Sequence, residues 1–510
     1  MTGQQTKQPS ESVMKAGRGL LSITASKLYF ILAGYAVALT LPRLLGTPEA
    51  FGLYSATVSS ISVINNVMNV ATIQTVSKRI SENLEQASTT LREGLRLQLL
   101  VGGVLGGTFF FAAPILAKNL LLDPLMVPYF RVVSIVLFSN ALYATLVGSL
   151  NGRQLFQRQA ALDMTYTTLR STCILGAAAL GLGVLGALSG LSCSVLILLV
   201  ISLYVVGIGR PSNRLVWKRW LALMAPLWLY HLSINLILLI DMLVLKRTVA
   251  AIALAAGETP AIAADIASRY AGFYKAAQTF AFVPYQLLLP VTFIVFPMVS
   301  KTISDDDIVS TRNTIREAMR FSLLACLAIA SPIAGAASGV MRLAYPVEYL
   351  AGSGALSVLT LGIACFALFV ISATLLSGAG HPTAAAVIGI FSLCIVVTGN
   401  VSLLYLAGIG DQTLVAVATG TTMGTSFALV VSAYAVYRYL GATIALASLC
   451  RGLLAALAGF LTAYIVPSNT RLFSLAALVA GGLVYLAALF VLREIRQSDI
   501  EMIKRLARKT

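Results

Sequence analysis

From Leu20 to Leu492 the chain alternates between apolar runs of about 20 residues and short polar segments rich in Lys, Arg, Ser and Gly. A helix of that length crosses the roughly 30 Å hydrocarbon core of a bilayer. The pattern predicts fourteen spans, at 20–41, 51–76, 97–117, 128–150, 161–181, 184–208, 221–245, 270–299, 317–340, 355–379, 383–407, 412–437, 442–466 and 472–492. The expected fold class is an all-α polytopic membrane protein. The gap before span eight contains "AAIALAAGETPAIAADIAS" and reads as an external loop with a short helix.

Polar residues inside the spans recur with helical period. In span two, Ser55, Ser59, Ser62, Asn66 and Asn69 fall on one helix face. In span eight, Lys275, Gln278, Phe282 and Tyr285 form a second stripe, and Asp163, Tyr166, Thr167 and Arg170 a third in span five. Such stripes either line a watery cleft that receives sugar hydroxyls or bind neighbouring helices together. Lys27 in span one either faces that cleft or snorkels to the near surface. Arg170 is too deep to snorkel easily, so it meets an anion or pairs with Asp163. Asp241, read near the outer end of span seven, is placed to pair with Lys275, as a proton- or cation-sensitive latch or as a static ion pair. His231 reads as a hydrogen-bonding group between helices rather than a proton shuttle. Pro284, Pro290 and Pro297 leave carbonyls of span eight without donors and predict kinks, either gating or fixed.

Composition narrows the function classes. The 510 residues are 58% hydrophobic and 11% charged, whereas a soluble domain carries about 25% charged residues. The first 17 residues are polar, which predicts no cleavable signal peptide. The formal charge of +17 lies mainly in loops on one side. With the N-terminus inside, most Lys and Arg residues fall in cytoplasmic segments, so both termini are expected in the cytoplasm. No basic soluble domain suited to nucleic acid is present. The tail "REIRQSDIEMIKRLARK" could form a basic helix on anionic lipid. The six cysteines stand singly and read as small hydrophobes, with no metal-like spacing. No catalytic motif appears either, so the expectation is a non-enzyme without metal or cofactor.

An internal repeat organises the spans. Span two begins "AFGLYSA" and ends "TVSK"; span eight begins "YAGFYKA" and ends "MVSK". Span four ends "ATLVGSLNGR" and span ten "ATLLSGAGHP". Six helices separate the equivalents, which predicts two six-helix bundles related by pseudo-two-fold symmetry, with two helices appended. The expected divisions are a cytoplasmic N-terminus at 1–19, bundles at 20–208 and 221–437 joined by a linker at 209–220, appended helices at 438–492, and a basic tail at 493–510.

The segments "LPRLLGTPEAFGLYSA", "LMAPLWLYHLSINLILLID", "GFYKAAQ", "FPMVSK" and "PVEYLAGSGALSVL", taken in order, resemble the multidrug/oligosaccharidyl-lipid/polysaccharide exporter superfamily, in its O-antigen and exopolysaccharide flippase branch. The resemblance implies alternating-access transport of a polyprenyl-pyrophosphate-linked oligosaccharide across a bacterial inner membrane. On that reading Lys27, Arg170 and Lys275 accompany phosphates or acidic sugars. Ser62, Asn66, Asn69, Gln278 and Tyr285 meet the glycan, and Asp163, Asp241, Pro284 and Pro290 couple or gate. A proton or sodium gradient would drive turnover, and the two appended helices would give the lipid tail a groove. Membrane lipid and a polysaccharide polymerase machinery are the implied partners, without nucleic acid. The alternatives are a cation-coupled multidrug extruder, which binds cations through acids in its N-terminal bundle, a lipid II flippase and, last, a polysaccharide polymerase or ligase, which would need catalytic groups in sizeable external loops. Span one carries Lys27 and no acid, and intramembrane cations favour an anionic cargo.

Overall fold

In hydrocarbon every backbone N–H and C=O must find a partner within the protein, and here helices supply it. The computed structural model describes residues 11–210, 217–289 and 308–495, and all regular structure there is helical. The helices are α1 (Glu11–Leu45), α2 (Pro48–Glu82), α3 (Ala87–Ile115), α4 (Met126–Gly152), α5 (Phe156–Ala179), α6 (Gly183–Val206), α7 (Trp217–Ala255) and α8 (Pro260–Ala281). A short α9 follows at 283–289. Then come α10 (Ile308–Gly335), α11 (Ala337–Ala344), α12 (Ser353–Gly378), α13 (Pro382–Ala407), α14 (Thr413–Leu440), α15 (Leu446–Ile465) and α16 (Arg471–Val491).

Among the described residues, ten helices are long and apolar enough to span a membrane: α1, α3, α4, α6, α10, α12, α13, α14, α15 and α16. The surface fits a hydrocarbon solvent, with Phe111 80% and Leu406 82% exposed. In α2, α5 and α8 the shortfall from that apolarity is the polar stripe itself, since these helices carry Asn66, Asp163, Arg170 and Lys275.

The chain divides into two compact units, 1–235 and 236–510, with the division inside α7. In the first unit α4 is the hub. It packs against α2, α3 and α6, while α5 packs on α6 and α1 on α5. In the second, α12 is the hub for α8, α10 and α14, with α13 on α14. The pairing around the two hubs corresponds, α2, α3 and α6 on α4 matching α8, α10 and α14 on α12, as the sequence repeat predicts. The appended hairpin α15–α16 packs on α10 through Leu323, Leu327, Ala455, Tyr485 and Leu489. Two glycines show how closely the hub helices approach. A Cβ at Gly148 of α4 would lie 2.8 Å from Val76 of α2, and one at Gly420 of α14 would lie 2.6 Å from the Asn400 backbone of α13.

The region read as an external loop is helical instead. α7 continues to Ala255 and α8 begins at Pro260, so only 256–259 connects them. Its alanines favour helix. Thr259 caps α8 by accepting from the Ile262 N–H, with Pro260 in the first turn, where a missing N–H costs nothing. Consequently Lys246 is fully buried in α7 and donates to Ser268 of α8 at 2.6 Å. At the other end of α8 the continuous span also fails. Phe282 is a turn, and Pro284 sits in the first turn of α9. Pro284 therefore begins a new helix rather than kinking one that runs through. Pro290 and Pro297 lie outside the described residues.

Candidate functional site

Among the described residues, two polar clusters contain the site residues expected from the sequence, one in each unit. In the first unit, Lys27 of α1 donates to Asp163 Oδ2 of α5 at 3.2 Å, with the lysine side chain 62% exposed and the aspartate 16%. The second carboxylate oxygen accepts from the Tyr143 hydroxyl of α4 at 3.2 Å. Tyr143 and Tyr166 stand with ring centroids 6.2 Å apart beside this carboxylate. Asp163 is thus spoken for, and it is not the partner of Arg170. The guanidinium of Arg170 lies 5.8 Å from the centre of the Phe30 ring on α1 and within electrostatic reach of Tyr54 on α2. Its buried Nε has no hydrogen-bond partner among the described residues. Two cations thus stand beside one acid, which pairs with only one of them, and the cluster keeps a positive charge.

The α2 stripe is graded. Ser55 and Ser59 are buried, Ser62 and Asn69 half-buried, and Asn66 exposed. Ser62 bonds back to the Val58 carbonyl. Asn66 donates to Asn235 of α7 at 3.0 Å, so this part of the stripe does join helices. The buried Asn69 Oδ1 has no partner among the described residues. Sequence reading missed the neighbouring face, where Asn140 of α4 donates to Asn65 at 2.9 Å and Gln98 of α3 to Thr72 at 3.0 Å.

In the second unit α7 and α8 form an antiparallel pair with a polar seam. Asp241 is 1% exposed and lies within α7, well before the helix ends at Ala255. Its carboxylate accepts from the Tyr274 hydroxyl at 2.7 Å, from the Gln278 amide at 3.0 and 3.1 Å, and from the Met242 N–H at 2.7 Å. Lys275 is half-buried and within electrostatic reach of Asp241. Gln278 is fully buried, and its amide nitrogen is engaged by the acid. Tyr285 packs edge-on against Phe366 at 5.3 Å. Tyr274 was the residue sequence reading missed here. Its spacing from Gln278, four residues, was the available signal, since both fall on one face. Among the described residues no group of three or more His, Cys, Asp or Glu is placed to hold a metal ion.

Helical spans in repeated bundles with charges kept inside them define a multispanning membrane protein of transporter architecture. More particularly, the chain belongs to the polysaccharide biosynthesis protein family, whose profile matches residues 16–303. A sequence comparison with curated proteins finds no match. Among solved structures, lipid II flippase MurJ in an inward closed conformation is similar at TM-score 0.73 and 14% identity, over 93% of this chain and 99% of that one. An inward-facing multidrug resistance MATE family transporter of the MOP superfamily is similar at TM-score 0.63 and 18% identity, over 82% and 94%. A MOP superfamily transporter from Pyrococcus furiosus is similar at 0.55 and 17%, over 85% and 99%. At these identities the likeness is one of fold.

Proposed function

We propose that this protein is a flippase that carries a polyprenyl-pyrophosphate-linked oligosaccharide across the bacterial inner membrane, with both termini in the cytoplasm. The observation that carries this reading is the surplus positive charge of Lys27, Asp163 and Arg170 on the adjoining helices α1 and α5. An isolated cation inside a membrane is costly and is kept for a partner of opposite charge. A pyrophosphate or acidic sugar is such a partner, and it cannot cross hydrocarbon unaided because unpaired polar groups there cost several kcal/mol each. The family membership supports a glycan cargo. Asn66 and Asn69 would meet its hydroxyls, and Asp241 would exchange a proton or sodium ion during turnover. The product would pass to a polysaccharide polymerase machinery.

Deletion of the gene tests this. Surface polysaccharide should disappear while undecaprenyl-linked repeat units collect in the inner leaflet. Normal polysaccharide in a strain without a redundant transporter would overturn the reading. The likeness to the MATE transporter keeps a multidrug extruder as the second reading, and the same strain separates it: heightened drug sensitivity with intact polysaccharide would favour it. Loss of peptidoglycan synthesis would instead favour a lipid II flippase.

A further inference from the structure

A cavity of about 470 Å³ opens in the second unit where α10, α14 and α15 meet. One wall is Asn313, Arg316, Glu317 and Arg320 of α10; the other is Tyr437 and the connection 441–445. Arg312, Arg316 and Arg320 follow at intervals of four, on one face of α10. Their states differ. Arg320 is 7% exposed and donates from Nε to Glu494 at 2.7 Å, and Arg451 of α15 reaches the same carboxylate at 3.3 Å. Arg316 is exposed and has neither ion pair nor hydrogen bond among the described residues. The guanidinium of Arg312 lies over Gly441, whose φ of +66° and missing side chain leave room for it; a Cβ there would be 2.8 Å from Nη2. Glu317 is the single acid on the wall. Counting Glu494 with its two arginines, the site keeps a positive balance.

Its level in the membrane is marked independently. The apolar spans of α14 and α15 end at Leu440 and begin at Leu446, and that of α10 begins at Val309. Exposed tyrosines gather at the same end of α14, with Tyr434 65%, Tyr437 58% and Tyr439 52% exposed. Tyrosines at span ends mark the headgroup region. A basic pocket between helices at that level suits an anionic lipid headgroup. The exposed Leu446 below it offers a surface for the acyl chain.

We infer that this pocket binds the phosphate of an anionic membrane phospholipid. Arg312 and Arg316 grip the phosphate, and Arg320, held by Glu494, forms the floor. The site shares no residue with the Lys27 and Asp241 clusters, so the inference stands whatever the transported cargo.

Native mass spectrometry of the purified full-length protein in neutral detergent tests it, with phosphatidylglycerol and phosphatidylcholine as probes and inorganic phosphate as competitor. Phosphatidylglycerol should bind and phosphatidylcholine should not. Each arginine contributes about fivefold in affinity, so the R312Q/R316Q double variant should weaken phosphatidylglycerol binding about 25-fold. E317Q should tighten it, which a purely structural role for these residues does not predict. T443W, which fills the cavity without touching the charges, should also abolish binding. Lipid-free melting temperatures verify that the variants are folded. Equal phosphatidylglycerol binding by wild type, R312Q/R316Q and T443W would overturn the inference. So would full displacement of phosphatidylglycerol by equimolar inorganic phosphate, which would mark a soluble anion as the ligand.

Discussion

Lys27 and Asp163 show why a contact and a function have to be weighed separately. An ion pair with its lysine largely exposed adds about 1 kcal/mol or less to stability. Lys27→Ala should therefore leave protein level and melting temperature nearly unchanged while stopping polysaccharide export. If export and stability fall together, the pair is structural. Arg170→Ala should block export in the same way, and Arg170→Lys should restore only part of it, because an ammonium keeps the charge but not the planar fork. Asp241 is different because it is sealed in. Asp241→Ala strands the Tyr274 hydroxyl and Gln278 amide, and should cost about 3 kcal/mol of stability. Asp241→Asn keeps the size and one acceptor. It should fold, bind lipid-linked glycan and lose ion-dependent turnover; if neutralising Lys275 as well restores turnover, the acid served only to balance charge.

At the scale of helices, two junctions decide how firmly the second unit holds together. The hairpin α15–α16 is tied to α10 by Arg320, Glu494 and Arg451. Burial alone would raise the Glu494 pKa, but hydrogen bonds from Arg320, Ser448 and Arg451 and the charge of Arg320 outweigh it, leaving the carboxyl below its ordinary value of 4.5. A depressed acid stabilises the folded state fully above its unfolded pKa. That contribution should persist at neutral pH and fade as pH falls below 4.5, through the folded value. Arg320→Ala should cost about 3 kcal/mol and weaken this acid dependence, checked by melting curves between neutral and acidic pH. The second junction is the close crossing of α13 and α14. Gly420→Ala should cost about 1–3 kcal/mol, since the new methyl meets backbone that has little room to retreat.

For the molecule as a whole, the basic-residue bias makes an orientation prediction. Reporter fusions at Ser212 and Asp306 should score cytoplasmic, and fusions at Thr259 and Asn469 external. Thr259 is informative because it sits in the short connection between α7 and α8. A cytoplasmic signal there would invert the hairpin and with it the equivalence of the two bundles.

Most spans were legible because the bilayer imposes a simple rule: about 20 apolar residues, with Lys and Arg concentrated on one side. The repeat was legible because paired motifs such as "GLYSA" and "GFYKA" keep their spacing, and the common pairing scheme around α4 and α12 follows from it. The α7–α8 connection misled because Gly257, Glu258, Thr259 and Pro260 carry a turn signal that was extended over the helical alanines on either side. Only the packed structure supplies the serine, Ser268, that satisfies Lys246. Site partners were also beyond the sequence. Periodicity says which residues share a face, but which residue meets which depends on the rotation and register of neighbouring helices. Those come from packing, and they gave Asp163 to Lys27 and Tyr143 rather than Arg170, and enclosed Asp241 between Tyr274 and Gln278.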